Sequence, residues 1–255
     1  MNRDPANTGA RPAVVIPCFN EASRLDAGEF TRMSVHVDVW FADDGSRDAT
    51  LEVIESMAAG SAGRIRALSN PRNLGKAETV RRHMLTACDA GIPIVGFLDA
   101  DLATPVDEML SIVSLLQTSG ADAVTAARVG LSGRDVVRKA ARHYSGRVFS
   151  TIASLAMQAA YYDTQCGAKA FRNTPALRAA LSEPFLSRWA FDVELLGRML
   201  AGSSSVAAVP ASRLIEYPLQ TWHDIAGSKL TTRDAWQAAL ELLLIWRNLR
   251  RRRRR

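Results

Sequence analysis

The 255-residue chain predicts an α/β fold: a doubly wound, mostly parallel sheet followed by a C-terminal helical extension. Three observations point there. Short runs rich in Val, Ile, Phe and Ala recur through the first half, and several end in carboxylates. Helical patterns of about ten to fifteen residues separate those runs, the spacing of strand–helix–strand units that close as parallel crossovers. Beyond Arg128 the alternation gives way to longer helical stretches, so the second half has a different build.

In order, Ala13-Val14-Val15-Ile16-Pro17 is the first strand, followed by a loop and helix from Glu21 to about Met33. Val37 to Ala42 is the second strand. It ends at Asp43-Asp44-Gly45-Ser46, where Ser46 or Asp48 would cap a helix over Ala49 to Ala59. Ile65 to Leu68 is the third strand, and Asn73-Leu74-Gly75-Lys76 opens a helix to about Ala90. Ile94 to Leu98 is a fourth strand, uncharged and therefore buried on both faces, which delivers Asp99 and Asp101 at its tip. Pro105 suits the first position of a helix to Leu116, and Ala123 to Arg128 closes the series. The second half predicts a helical stretch from Arg134 to Ala160, basic then apolar, and a strand at Ala168 to Phe171. A helix over Asp192 to Leu200 comes next, then short strands near Ser205 to Ala208 and Arg213 to Tyr217. Thr232 to Leu249 forms a final amphipathic helix.

Composition narrows the class. The apolar share of 47% and charged share of 23% are those of an ordinary globular protein. The formal charge of +6 is carried by the six residues Arg250 to Arg255, so the rest of the chain is neutral and does not read as a nucleic-acid-binding surface. Cys18, Cys88 and Cys166 lack zinc or disulfide spacing, which points to a reducing compartment. No signal peptide is expected in residues 1–11, a flexible N-terminus, and the longest uncharged apolar stretch, Val148 to Tyr162, is shorter than a membrane span. A cytoplasmic protein, or one peripheral to the inner face of a membrane, is the expectation. Phe149, Ile152, Leu155, Ala156 and Ala159 form a stripe that fits either core or a lipid interface. The final helix with its arginines fits docking on an anionic membrane or a solubilising tail.

The chemistry collects at predicted strand ends. In an extended stretch, alternate side chains share a direction, so Asp99 and Asp101 can reach one site while Ala100 turns away. Paired hard oxygen ligands suit Mg²⁺ or Mn²⁺ holding substrate phosphates. Pro17-Cys18-Phe19-Asn20-Glu21 and Asp43-Asp44-Gly45-Ser46 lie at the same sheet edge, and Lys76 enters there at a helix start suited to anions. Each motif alone also fits a solvated turn; together they read as a nucleotide-diphosphate site.

These blocks resemble the signatures of family 2 glycosyltransferases of the GT-A fold. Asp163-Thr164-Gln165-Cys166-Gly167-Ala168-Lys169, Arg188-Trp189-Ala190-Phe191-Asp192-Val193-Glu194 and Gly227-Ser228-Lys229-Leu230 are similar to the dolichyl-phosphate β-glucosyltransferase branch. The likeness spans about Pro12 to Leu230. It implies a GT-A domain over 12–230, with a nucleotide-sugar half at 12–128, an acceptor half at 129–230, and an amphipathic helix with an arginine tail at 231–255. It also implies inverting transfer of a hexose, glucose, from a UDP-sugar to a polyprenyl phosphate. Pro17, Asn20, Glu21, Asp43, Asp44, Lys76 and Asp99 would bind the donor, with Asp99 and Asp101 at the metal and Asp101 the direct ligand. Arg128, Arg142, Arg147, Gln165, Arg188 and Lys229 would meet the acceptor, with Arg128 favoured among the cations because it ends a strand. A phosphate acceptor is already ionised near neutral pH and needs no strong base, since its second pKa is about 6. A hydroxyl acceptor would need one, and Asp192 is the candidate.

Two departures stand out. Ala77 replaces the second glycine of the usual Gly-Lys-Gly, and the branch's N-terminal membrane anchor is not evident. They keep two alternatives open: the same donor chemistry on a soluble small-molecule acceptor, and a non-catalytic sugar-nucleotide-binding protein.

Overall fold

The structure is a computed structural model, describing residues 10–136, 140–223 and 232–254, without the side chains of 140–145 and 232–237. The first half runs β1 (Ala13–Cys18), α1 (Ala27–Ser34), β2 (Asp38–Asp43), α2 (Thr50–Ala59), β3 (Ile65–Ser69), α3 (Lys76–Asp89), β4 (Ile94–Leu98), α4 (Val106–Thr118) and β5 (Ala123–Ala127). The second half runs β6 (Asp135–Val136), α5 (Ala140–Met157), β7 (Ala168–Arg172), α6 (Pro175–Leu181), α7 (Phe191–Ala201), β8 (Leu214–Pro218), β9 (Thr221–Trp222) and α8 (Thr232–Arg252). Seven strands form one sheet in the order β3-β2-β1-β4-β7-β5-β8, and β6 pairs with β9.

The expected mostly parallel α/β sheet is present, with one reversal. β7 lies antiparallel between β4 and β5, in a register that sets Leu98 opposite Ala168. Its first residues therefore meet the last residues of β4, and the Asp99 amide donates to the Gly167 carbonyl at 2.9 Å. This brings the Thr164–Gly167 segment to the edge where the parallel strands end.

Side-chain alternation on β1 splits the core. Ala13 and Val15 join a cluster with α3 and α5 to α8, while Val14 and Ile16 pack with α1, α2 and α4 on the other face. α7 is buried along almost its whole length, with α5, α6 and α8 laid against it.

Several sequence expectations are corrected. Asp135–Val136 is a short strand rather than helix, because its backbone pairs with Thr221–Trp222. Ser205 to Ala208 is not a strand; Ser203 and Val206 exchange backbone hydrogen bonds in a turn. Pro105 caps α4 instead of opening it, and neither Ser46 nor Asp48 is the N-cap of α2, which is Ala49. The Asp48 carboxylate instead accepts from the Thr50 amide and hydroxyl within the first turn. α6, capped by the Thr174 hydroxyl, was not foreseen. α8 continues through Arg252, so the first three residues of the arginine run are helical.

Candidate active site

Each acid arrives on a rigid strand end. Asp43 closes β2 and accepts from the Ser46 amide, fixing the tight turn there. Asp44 is buried and accepts from Asn70 Nδ2 at 3.0 Å, the Leu74 amide at 2.8 Å and the Gly75 amide at 2.7 Å. It thereby holds the loop that delivers Lys76. Asn20 adopts a left-handed backbone (φ 56°) after β1, and its Oδ1 accepts from the Arg47 amide. Glu21 carries a two-pronged ion pair with Arg24, and Pro17 sits in β1 beside it in sequence.

The centre of the site follows β4. Lys76 Nζ lies 2.5 Å from Asp99 Oδ1. Asp101 Oδ1 accepts from the Ala103 amide at 3.1 Å, in a turn that puts Leu102 in the left-handed region (φ 52°). Such a backbone is costly for leucine and recurs where a side chain must be aimed. Asp192, in the first turn of α7, pairs with the fully buried Lys169 of β7 at 2.7 Å, and Lys169 Nζ also donates to the Cys166 carbonyl.

Three carboxylates and two ammonium groups thus form one cluster of coupled charges. Burial pushes the Asp101 and Asp192 carboxyls up, Asp101 further through its neighbour Asp99, although Lys76 opposes the rise at both and Lys169 also does at Asp192. Burial alone would lower the Lys76 pKa, but Asp99, Asp192 and Asp101 outweigh it, so the pKa stands above the ordinary lysine range. Its side chain is 42% exposed, with the ammonium against Asp99. Burial also raises the Cys166 thiol, consistent with its reading as a small packed residue.

Gly167 and Gly75 make the arrangement possible. A Cβ on Gly167 would sit 2.2 Å from Asp99 Oδ2, so only glycine lets that carboxylate lie against β7. Gly75 has φ 89°, and a Cβ there would sit 2.8 Å from Arg188 Nη2. The Arg188 guanidinium therefore rests on the Gly75 backbone and donates to the Leu74 carbonyl at 3.2 Å. It is exposed and stands at the opening of α3, next to Lys76.

The other expected acceptor residues are distributed differently. Arg128 does reach the functional edge, but both prongs of its guanidinium are engaged by Asp163, at 2.6 and 2.8 Å. Asp163 also accepts from the Arg128 amide, so the ion pair fixes the guanidinium at the end of β5. Arg147 lies over the Tyr162 ring and donates to the Tyr162 carbonyl. The Gln165 side chain reaches the Trp189 carbonyl at 3.5 Å. Trp189 stacks edge-on against Phe149, and Arg188 turns to the Leu74–Gly75 loop. The Arg142 side chain and Lys229 lie outside the described residues.

Sequence reasoning missed Lys169, Gly167 and Glu241. Lys169 was visible as the one charge inside the run Ala168 to Phe171. Glu241 of α8 accepts from the Ser187 hydroxyl and the Trp189 and Ala190 amides, clamping the segment that carries Arg188. No local pattern announced that contact.

The sequence profile of glycosyl transferase family 2 matches residues 13–178. The chain belongs to glycosyl transferase family 2. It is 29% identical over 249 residues to a dolichyl-phosphate beta-glucosyltransferase of Trichomonas vaginalis, covering 91% of this chain and 69% of that protein. It is 30% identical over 253 residues to the dolichyl-phosphate beta-glucosyltransferase of Drosophila melanogaster, covering 92% and 74%. Among solved structures, it resembles glucosyl-3-phosphoglycerate synthase from Mycobacterium tuberculosis, crystallised with Mn²⁺, UDP and glucosyl-3-phosphoglycerate. The TM-score is 0.63 at 19% identity, over 98% of this chain and 86% of that one. Mannosyl-3-phosphoglycerate synthase from Rubrobacter xylanophilus follows with a TM-score of 0.58 at 13% identity, over 97% and 76%. These neighbours place this family 2 glycosyltransferase in the GT-A fold.

The donor set fits a divalent cation of the Mg²⁺ or Mn²⁺ kind. Asp99 Oδ1 is a buried oxygen paired with the Lys76 ammonium, and Asp101 stands two residues on. Among the described residues no group of three His, Cys, Asp or Glu could enclose a metal. Such ions are commonly held by one or two carboxylates, with the substrate's phosphates completing the shell.

Proposed function

We propose that this glycosyltransferase moves glucose from UDP-glucose to the phosphate of a polyprenyl phosphate, with inversion at the anomeric carbon. The observation that carries the reading is the meeting of Lys76, Asp99 and Asp101 on one strand edge with Arg188 beside them. Two cations flank a pair of metal-ligating acids, which is what a sugar diphosphate requires. The dolichyl-phosphate beta-glucosyltransferases among its relatives support the choice of acceptor and sugar.

In this reading Pro17, Asn20 and Glu21 face the nucleoside, and Asp43 and Asp44 hold the turn and loop that frame it. Lys76 and Arg188 hold the diphosphate at the N-terminus of α3, whose free amides favour negative charge. Asp99 and Asp101 would hold the metal ion, which when bound offsets charge growing on the departing UDP. Lys76 is kept protonated by its carboxylate neighbours and adds to that stabilisation.

The acceptor oxygen attacks from the side opposite the diphosphate. A phosphate monoester is mostly ionised near neutral pH, with a second pKa of about 6, so no proton need be removed in the step. Asp192 then serves to hold the buried Lys169. Arg147 and Gln165, with Arg142 and Lys229, are the groups we assign to the acceptor side. Because that acceptor is lipid-borne, the enzyme works at a membrane surface; no helix among the described residues is long and apolar enough to cross one.

The test is a transfer assay with purified protein, Mg²⁺, a panel of nucleotide sugars, and either polyprenyl phosphate or a soluble alcohol. Transfer from UDP-glucose to the lipid is expected, giving a β-linked product by NMR. Asp101→Ala should lower kcat by roughly 100-fold or more. Turnover confined to a soluble acceptor would move the reading to a small-molecule glucosyltransferase in which Asp192 acts as base. Absence of turnover with any acceptor, together with retained UDP binding, would leave a sugar-nucleotide-binding protein.

A further inference from the structure

Helices α5 and α8 lie side by side on α7, and each turns an apolar row outward. On α5 the buried positions are Ser150, Ala153, Ala156 and Met157, while Val148 (62% exposed), Ile152 and Leu155 (71% exposed) follow one another at helical spacing on the opposite side. On α8, Ala238, Leu242, Ile245 and Leu249 are buried. Leu240, Leu243 and Leu244 are exposed on the far side, and the same row continues as Arg247, Arg250, Arg251 and Arg254, all exposed. From Leu240 to Arg254 this outward face is thus leucine first and arginine after.

The surroundings carry little opposing charge: the exposed Glu183 pairs with Arg252, which lies beside the arginine row rather than in it. α5 contains no Asp or Glu from Ala140 to Met157. From Ala238 to Arg254 the only acid is Glu241, which is directed at the Ser187–Ala190 segment. The C-terminal ends of the two helices are tied together, since Arg253 donates to the Met157 carbonyl. The patch also reaches the site. Trp189, 40% exposed, packs on Phe149 of α5, and its neighbour Arg188 rests on Gly75 at the opening of α3.

We infer that the outward faces of α5 and α8 dock this protein on an anionic lipid bilayer, with the leucine and isoleucine rows in the acyl boundary and the arginine row on the headgroups. An apolar face this size alone would not name its occupant. The arginine continuation does, because a basic row in line with an apolar one matches the profile of an anionic interface in depth and charge. The proposed acceptor gives this docking a purpose, and to that extent the inference rests on the polyprenyl-phosphate reading: the Arg188–Trp189 segment would stand at the interface, within reach of a lipid phosphate.

The experiment is sedimentation of the full chain with vesicles of phosphatidylcholine, with and without phosphatidylglycerol, at low and high salt. Binding is expected on the anionic vesicles, with a steep loss at high salt. Replacing Arg247, Arg250, Arg251 and Arg254 by Ser should weaken partitioning by about 100-fold or more, since each basic residue near the surface is worth roughly fivefold. Leu240→Ser with Leu244→Ser should weaken it by at least about tenfold while moving the thermal unfolding midpoint little, because more than half of each residue is exposed. Vesicle binding that survives both variants overturns the inference. So does a concentration-dependent dimer that the leucine changes dissolve, for the face would then be an interface between two copies. Loss of vesicle binding with intact transfer to detergent-solubilised polyprenyl phosphate would reject the docking face and spare the proposed activity. Vesicle binding without transfer to any polyprenyl phosphate would do the reverse.

Discussion

Gly167 gives the sharpest handle on the site. Its backbone φ is open to any residue, so alanine there is excluded by space alone. The added Cβ would stand 2.2 Å from Asp99 Oδ2 and 2.4 Å from its Cγ. Ordinary contacts of this kind are roughly 3.5 Å, so the carboxylate must retreat by about 1 Å. It cannot retreat toward Lys76, already 2.5 Å from Oδ1, and must swing outward through its 33% exposed side. Misplacing a reacting or ligating group by that distance costs about 100-fold. Gly167→Ala should therefore reduce kcat/KM for glucosyl transfer by about 100-fold. Stability should change by no more than about 1 kcal/mol, since the displaced group moves into solvent. Steady-state transfer kinetics paired with urea unfolding would measure both. Gly120→Ala is the control, because its Cβ meets nothing within 4 Å and its backbone is unstrained. Parental kcat/KM in Gly167→Ala would refute the claim that Asp99 must lie against β7.

Three further outcomes follow from contacts already described. Lys169→Met leaves the Asp192 carboxylate buried without its 2.7 Å partner, so urea unfolding should show a loss of about 3–5 kcal/mol, much of it recovered by adding Asp192→Asn; equal stability of the single variant and the parent would mean the pair is not coupled. Glu216 accepts from the Tyr162 and Asp163 amides, yet burial holds its carboxyl above the ordinary glutamate range. The native state then keeps this proton longer than the unfolded chain, so stability falls as pH rises from the ordinary value through the raised one. Asp101 and Asp192 act in the same direction, and Glu216→Gln should flatten the pH dependence of unfolding by one share; an unchanged slope would contradict the assignment. Arg188→Ala should weaken UDP binding by about tenfold in calorimetry, the worth of one charged hydrogen bond, and unchanged affinity would remove Arg188 from the donor site.

Much of the donor side was legible in sequence because local rules govern it. A strand of uncharged β-type residues must be buried, its end must be a loop, and alternate acids there must share a direction. This placed Asp99, Asp101 and Lys76 together before any contact was known. The acceptor side resisted for the opposite reason. Arg128 ends its strand as foreseen, but its partner Asp163 arrives from a distant segment, and nothing in the residues near Arg128 signals the pair. Arg188 is an acceptor residue only by the resemblance of its block, and its neighbours in sequence say nothing of what it touches. The residue it meets is Gly75, more than a hundred positions earlier, because α7 and its leading segment cross over the opening of α3. The reversed strand was equally hidden, since the short run Ala168 to Phe171 has the same pattern in either direction.

That reversed strand constrains how the protein can be built. β4 cannot acquire its outer neighbour, nor β5 join the sheet, until residues through Arg172 are available. During synthesis, β1 to β4 can pair as they emerge, whereas β5 must wait with its ladder edges unfilled. Severing the chain near residue 128 would accordingly leave two fragments that each need the other's strands, rather than a nucleotide-binding module and a detachable cap.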